Sequence, residues 1–590
     1  MKNKQTSEFS LLKKLPPWAR RRYFLIKLEF GKKQFTIKDL ENFFEEKFKQ
    51  TGNEEFLIKN VGELVAILSN TGLIKEIGSD PYDSRRKIYQ LAFPEFESEN
   101  LNEILIFLYD HLRISLELDY AEILLLSMLF YKTMSDRFSA IVDKYKTSVT
   151  DRRKLYSIAN EQVLKLYDPE SNELLVWDSV VSSQDLKAQL SHAFERIAEL
   201  NLDKGLNALA KVSRIIMQLD QQKLAQIIEI LSLYDLSFYS PDEIGRLYRE
   251  FLDNVSIAKG SNKYRGTFLT PKILRTLISS LLHVQNGSVI LDPAVGTGSL
   301  LVETALHSSS SETLSLIGVD LNGWAVTLAA MNALISGISN CTLKIGDSLI
   351  GDPIEEILEN FGLTKADYVV VDPPWNVVVS GEVAAKGRNL PYLLDRDNLP
   401  SWRSADWLWV QLAAFYSKRK AVITLPPGAL SRPGAEREIR KTLLSMDILE
   451  AVIQLPPKLM PWVSISPVVL IINKEKDESL HRKVLMINVT EGIEEIGRRL
   501  IQLKQETIDK IVSTYTSHKE IEGFSRIVSL DEIADNDYNL SPQLYVFKRE
   551  SPKINVEEVL STLKGILQKE EKLTKDAITL AEKILEAENK

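Results

Sequence analysis

The sequence predicts a multidomain chain organised around a doubly wound, mainly parallel α/β sheet, and three observations carry that reading. A length of 590 residues exceeds what one hydrophobic core usually supports, so about three or four domains are expected. From about residue 264 to 475, short β-branched runs alternate with amphipathic helical stretches, as in a sheet covered by helices on both faces. Upstream of that region, apolar residues recur at helical spacing with almost no Gly or Pro. The division that follows is 1–95, a winged-helix-like unit; 96–255, a helical bundle; 256–547, the α/β domain; and 548–590, a C-terminal helix of coiled-coil character.

Composition narrows the class. Hydrophobic residues make up 44% and charged residues 26%, ordinary for a soluble globular protein. Met1 to Pro17 is polar and lysine-bearing, unlike a signal peptide, and the longest apolar run, Ile123 to Tyr131, is too short to span a bilayer. The single cysteine, Cys341, excludes an internal disulfide framework and a cysteine-rich zinc site. A cytoplasmic protein without membrane contact is expected. The net charge of −8 argues against a surface coated in cations for nucleic acid and points to a partner that supplies much of any phosphate contact.

The elements follow in order. A first helix runs through Trp18 to Phe24, and a second begins at Thr36 with Asp39 as its capping-box partner. A third covers Ile58 to Ser69, with Val61, Leu64, Val65 and Leu68 on one face. Gly72–Ile77 and Lys87–Leu91 read as strands around a turn at Gly78–Pro81. Its third helix, which would enter a groove, carries Glu54, Glu55 and Glu63 nearby, whereas Arg85, Arg86 and Lys87 lie in the wing, so DNA contact and protein docking stand level. In the bundle, a lone histidine such as His192 reads as a surface or packing residue. Strands are expected at Ser288–Leu291, Leu316–Val319, Tyr368–Val371, Ala421–Thr424 and Val468–Ile472, with ligands at their carboxyl ends. In the last segment Val559, Leu563, Ile566, Leu573, Ala577, Leu580 and Ile584 follow alternating steps of four and three, fitting either a helix folded back on its own domain or a dock for a partner helix.

Three strand ends carry the chemistry. Asp292-Pro293-Ala294-Val295-Gly296-Thr297-Gly298-Ser299-Leu300 follows a strand and opens a helix, and its glycines allow a tight turn and close approach to a ligand. It lacks the third glycine of the dinucleotide fingerprint. The next strand ends in Asp320, followed by Leu321, where a carboxylate can accept both hydroxyls of a ribose. The third ends Gly346-Asp347-Ser348, another acid able to accept from an adenine amino group. No phosphate-binding lysine follows the loop, so a nucleoside without phosphates, such as S-adenosylmethionine, fits this set better than a nucleotide triphosphate. After the fourth strand stands Asp372-Pro373-Pro374-Trp375. A side-chain oxygen and a carbonyl held rigid by two prolines can accept both hydrogens of an aromatic amine and free its lone pair for attack. The aromatic residue offers a face for a flipped base. Displacement at a sulfonium needs neither metal nor covalent enzyme intermediate. The segment from Val377 to Arg403, with Gly381, Gly387, Lys386, Arg388 and Arg403, reads as a mobile loop that closes over the base and nearby phosphates, against a plain surface loop.

These residues resemble the amino-group DNA methyltransferases, and specifically the modification subunits of type I restriction–modification systems, over about residues 100 to 547. Gly266-Thr267-Phe268-Leu269-Thr270-Pro271 is similar to the family's segment that contacts the methionine part of the cofactor. Asp292 to Leu300 is similar to its Asp-Pro-Ala-Cys-Gly-Thr-Gly loop, with Val295 in place of Cys. Leu425–Leu430, Glu438–Lys441, Gln454–Pro456, Pro467–Leu470 and the closing Tyr538-Asn539-Leu540-Ser541-Pro542 continue the match, and Leu129–Lys132 and Ser135–Phe138 resemble its helical domain. The resemblance implies a Rossmann-like class I methyltransferase core, S-adenosyl-L-methionine as cofactor, and adenine N6 in DNA as the methyl acceptor. It also implies a separate specificity subunit, with a restriction subunit as a further partner. Two features depart from the family: Asp372 and Trp375 stand where it usually has Asn and Phe, and a winged-helix-like unit precedes the bundle. Cytosine C5 methylation needs a thiolate beside a proline, which Cys341 does not supply. Cytosine N4, RNA, and a non-catalytic cofactor- or DNA-binding assembly subunit are the alternatives.

Overall fold

The computed structural model describes residues 11–588 apart from 13, 52–57, 59, 81–82, 94–97, 260–268, 310, 400–402, 461–464, 497–499 and 548–555. Its first unit packs helices Pro17–Phe30, Ile37–Thr51 and Val61–Thr71 against a three-stranded sheet. The capping box forms as its spacing predicts: the Thr36 N–H donates to Asp39 Oδ2 at 2.8 Å and the Asp39 N–H to Thr36 Oγ1 at 3.3 Å. The third helix starts at Val61 rather than Ile58, because Asn60 Oδ1 accepts the Glu63 N–H at 3.1 Å and caps it there. Its buried face is Val61, Leu64, Val65 and Leu68. The hairpin corrects the expected turn. Its strands, Ile74–Asp80 and Asp83–Leu91, run through Gly78 to Asp80, and register shifts at Glu76/Gly78 and Ser79/Asp80 absorb the glycine as a bulge. A short strand Phe35–Thr36, which periodicity cannot reveal at two residues, pairs with Tyr89 and Ile88.

The bundle is built on the helix Leu118–Tyr145, buried almost without interruption from Ala121 to Ser135. Its polar residues are spent on neighbours. Tyr131 donates to the Leu175 carbonyl at 2.8 Å, Ser135 Oγ accepts the Trp177 N–H at 2.6 Å, and Asp136 pairs with Lys132 while accepting the Leu236 N–H at 2.7 Å. Arg137 reaches across to the α/β domain, donating to the Leu334 and Ile335 carbonyls at 3.3 and 2.9 Å. One continuous core joins the first unit, the bundle, and Leu328, Met331 and Ile335 of the α/β domain. His192 pairs at the surface with Glu173 at 2.9 Å.

The α/β domain holds a nine-stranded mixed sheet: β1 Val289–Asp292, β2 Ser315–Asp320, β3 Cys341–Ile345, β4 Ala366–Val371, β5 Ser417–Leu425, β6 Leu449–Gln454, β7 Val468–Asn473, β8 Lys483–Asn488 and β9 Ser525–Ser529. Their order is β9-β8-β6-β7-β5-β4-β1-β2-β3. Strands β1 to β5 run parallel, β7 is antiparallel to both β5 and β6, and β9 is antiparallel to β8. Separate apolar cores fill the two faces. The chain reverses its winding between β1 and β4, the point where open α/β sheets bind ligands. Among the described residues no helix is long and apolar enough to cross a membrane.

The last helix, Val556–Glu588, is not folded back on the rest of the chain: residues 560 to 580 are all exposed, Leu563, Ile566, Leu573 and Leu580 by 51 to 68%. The segment Val377 to Arg403 also departs from expectation. Much of it is packed, because Val379, Val383, Leu390, Tyr392 and Leu393 sink into the core beneath it. Ser380 caps a short helix, Gly381–Lys386, and Lys386 is engaged by Asp352 at 2.6 Å.

Candidate active site

The loop after β1 is held by its own acids. Asp292, 1% exposed, accepts the Ala294 N–H at 3.0 Å, and Asp320 at the end of β2 reaches across to accept the Gly296 N–H at 2.9 Å and the Asn322 N–H at 2.8 Å. Gly298 sits at φ +72°, and a Cβ there would stand 2.8 Å from Ala329 Cβ. No other residue lets the loop turn into the helix Ser299–Leu306 while the helix Gly323–Ile335 presses from behind. Thr297 and Ser299 share a buried hydroxyl contact at 3.0 Å, and Asn332 donates to the Thr297 carbonyl at 3.2 Å. Pro293 is buried and Ala294 half-buried beside them.

Asp372-Pro373-Pro374-Trp375 leaves the carboxyl end of β4, next to β1. Thr424 at the end of β5 donates to the Asp372 carboxylate, and the Thr270 hydroxyl lies near enough to favour its ionised form. Trp375 Nε1 in turn reaches Thr424 Oγ1 at 3.4 Å. Thr270 is fixed from the other side, where the buried Arg275 donates to its carbonyl at 2.6 Å while pairing with Asp253 at 2.9 and 2.8 Å. Burial pushes the Asp372 carboxyl above its ordinary range, against the pull of the two hydroxyls. Asp292 and Asp320 are raised by burial too, and Asp320 and Asp372 add like-charge repulsion at Asp292. At Asp292, burial and the two neighbouring acids disfavour ionisation, and a cation beside it would favour it again.

Most of the expected site residues converge here. Asp292, Pro293, Ala294, Gly296, Thr297, Gly298, Ser299, Asp320, Thr270 and Asp372 share one end of the sheet with Pro271, which opens the helix Lys272–Leu282. Leu321 is 72% exposed beside Asp320. Asp347 caps the turn Ser348–Ile350, accepting from the Leu349 N–H at 3.0 Å and Ser380 Oγ at 3.1 Å, so its carboxylate already has two local donors. Thr267 and Phe268 lie outside the described residues. Sequence reasoning missed Thr424, although it ends an anticipated strand. It also missed Asp406 and Arg432, which contact the backbone and side chain of Asn376, directly after Trp375.

Comparison with known proteins gives the site its context. A family model described as N-6 DNA Methylase matches residues 239–553. The type I restriction enzyme MjaVII methylase subunit of Methanocaldococcus jannaschii is 33% identical over 590 residues, covering 97% of this chain and 98% of that one. The MjaVIII methylase subunit of the same organism is 32% identical over 551 residues, covering 91% and 92%. Among solved structures, the type I restriction-modification system methyltransferase subunit from Streptococcus thermophilus aligns with a TM-score of 0.65 at 24% identity, covering 77% of this chain and 100% of that one. The chain belongs to the N-6 DNA methylase family, as an S-adenosylmethionine-dependent enzyme that methylates the N6 amino group of adenine in DNA within a type I restriction-modification system.

Proposed function

We propose that Asp372, Pro373, Pro374 and Trp375 form the seat of the target adenine, and that the β1 loop with Asp320 and Asp347 holds the cofactor. The observation that carries this is the Thr424 hydroxyl held on Asp372, with Trp375 on the same hydroxyl, at the point where the sheet reverses its winding. S-adenosylmethionine supplies an electrophilic methyl group when bound. The residues of this chain do the rest. The Asp372 carboxylate and the Pro373 carbonyl accept the two amine hydrogens of the flipped base, which turns the nitrogen lone pair out of the ring. Trp375 stacks on the base. Asp372, with its raised pKa, is also the base suited to take the proton that the amine sheds on gaining the methyl group. Asp320 accepts from the ribose hydroxyls, Asp347 and Ser348 face the adenine amino group, Leu321 covers the cofactor's ring, and Thr267, Phe268, Thr270 and Pro271 line the methionine end. Asp372→Ala tests the assignment: methyl transfer is expected to disappear while calorimetric binding of S-adenosylmethionine persists. Retained transfer overturns it.

The domain reading divides the chain at 1–95, 96–255, 256–547 and 548–590 and sets the enzyme beside DNA in the cytoplasm. The first unit reads as a winged-helix module. Its wing exposes Arg85 by 90%, beside Asp83 at 3.2 Å, and its third helix presents Glu63, Ala66 and Asn70 to solvent. This polarity favours protein docking over groove reading. Target choice falls to a separate specificity subunit, and a restriction subunit completes the system. The exposed apolar seam of residues 560–580 in the last helix is the coiled-coil-like dock for that specificity subunit. Truncation after Pro552 is expected to release it in co-purification while the melting transition of the α/β domain stays in place. Undiminished co-purification contradicts the reading.

A further inference from the structure

Three motifs of the chain are assigned neither to the base nor to the cofactor: the Arg432 turn, Arg440, and the closing Tyr538-Asn539-Leu540. The structure joins them into one path. Arg440 is 1% exposed and spends its guanidinium on carbonyls, with Nε on Tyr538 at 2.8 Å, Nη2 on Arg432 at 2.8 Å and Nη1 on Ala429 at 3.3 Å. The Leu540 N–H donates to the Leu430 carbonyl at 3.0 Å, clamping the same turn from its other side. The Arg432 side chain then points the opposite way. Nη1 pairs with the buried Asp406 carboxylate at 2.8 Å and touches Ser404 Oγ at 3.2 Å, and Nη2 donates to Asn376 Oδ1. Asp406 closes the circuit, because its other oxygen accepts the Asn376 N–H at 2.9 Å.

Asn376 immediately follows Trp375 and stands at φ +55°, a conformation a non-glycine residue holds only when its surroundings impose it. The Ala405 N–H adds a bond to the Val377 carbonyl at 2.9 Å. Backbone and side chain are therefore gripped at the residue that directly follows Trp375, so the exit of the base-accepting turn is held from both. A planar, five-donor guanidinium suits this bridging, since it holds a carboxylate and an amide oxygen at once in fixed geometry.

We propose that Arg432 is a positioning residue for methyl transfer, the link through which the Tyr538–Leu540 turn and Arg440 hold the base-accepting turn in register with the cofactor loop. The proposal rests on the assignment of Asp372 to Trp375 as that turn. It goes beyond it by naming what holds the turn, and by giving the closing motif a part in the reaction although it touches neither reactant.

The test uses the full chain with its specificity subunit and four variants: Arg432→Gln, Arg432→Lys, Asn376→Gly and Asp372→Ala. A misplacement of about 1 Å at the reacting centre costs about 100-fold in rate. Arg432→Gln is therefore expected to lower kcat by about 30-fold or more, with KM for DNA and Kd for S-adenosylmethionine within about twofold. Arg432→Lys falls between it and wild type, because one ammonium cannot bridge both acceptors. Asn376→Gly keeps the backbone bond to Asp406, tolerates the positive φ, and loses only the Arg432 contact. It is expected to melt like wild type and still lose kcat. An unchanged kcat in Arg432→Gln, or a loss confined to KM for DNA as a phosphate contact would give, overturns the proposal. If Arg432→Gln does not fold, full kcat in Asn376→Gly overturns it instead. Asp372→Ala separates the two levels: transfer by that variant means that the assignment of the turn has failed, whatever the Arg432 variants do.

Discussion

Thr424→Val removes one hydroxyl beneath the base-accepting turn and little else. Thr424 is fully buried at the end of β5, where valine fills the same volume. Its Oγ1 donates to Asp372 and accepts from Trp375 Nε1 at 3.4 Å, and the substitution deletes both bonds. A hydrogen bond to an ionised group is worth about 1.5–3 kcal/mol. At about 1.36 kcal/mol per factor of ten, losing it from the reactive form corresponds to about 10- to 150-fold in kcat/KM. The direction with pH follows from Asp372. Burial raises its pKa, and the hydroxyls of Thr424 and Thr270 pull it back down. With one donor gone the pKa rises further, so a reaction that needs the carboxylate loses rate at a higher pH than in wild type. Labelled methyl transfer measured across a pH series reads both quantities, with cofactor binding followed in parallel. The expected result is a lower plateau with its acid limb displaced upward. An unchanged plateau and a superimposable acid limb would refute the reasoning.

Gly298→Ala combines a left-handed backbone at φ +72° with a Cβ placed 2.8 Å from Ala329 Cβ. The two terms add to a destabilisation of about 2–5 kcal/mol, measurable by urea unfolding, and a change below about 1 kcal/mol contradicts the packing argument. Asp292 and Asp320 have raised pKa values, and a cationic ligand favours their ionised forms. Cofactor affinity should therefore rise as pH climbs through those values, with proton release seen by calorimetry in buffers of different ionisation enthalpy; proton uptake would contradict it. The sign for stability is opposite. The ligand-free folded state keeps protons that the unfolded chain gives up, so these acids weaken folding as pH rises from the ordinary carboxylate range through their raised values. Arg137→Met removes the side-chain donor to the Leu334 and Ile335 carbonyls, of which Leu334 keeps the Gly337 N–H at 3.1 Å, and should lower stability by about 1–3 kcal/mol; equal urea midpoints would show that the tie is unimportant.

What was legible in the sequence is what local chemistry dictates. The Thr36 and Asp39 pair announced its helix start, and the five anticipated strands all form, because β-branched runs between glycines and prolines leave few alternatives. The β1 loop and the acids of β1, β2 and β4 were readable because their spacing is set by consecutive strands of one sheet. Other features depend on contacts between distant segments. Strands β6, β8 and β9 were not anticipated. β6 carries Glu450 inside its apolar run, an acid satisfied there by Asn473 at 2.8 Å, by Tyr515 and by Lys420 Nζ at 3.6 Å. Val377 to Arg403 read as a loop because its apolar residues follow no helical or strand period, and they pack singly against a core that no local pattern shows. Arg440 was noted in the sequence only within the family-like segment Glu438–Lys441, and Arg432 not at all. Their roles exist only once Asp406 and Tyr538 are brought beside them, 26 residues before Arg432 and 98 residues after Arg440.

The most direct test of the central claim is transfer of radiolabelled methyl groups from S-adenosylmethionine to unmodified DNA, followed by separation of the nucleosides, with wild type and Asp372→Ala compared in the presence of the specificity subunit. The account predicts label in N6-methyladenine with the wild type and none with the variant. Label in any other nucleoside, or equal labelling by both proteins, would contradict it.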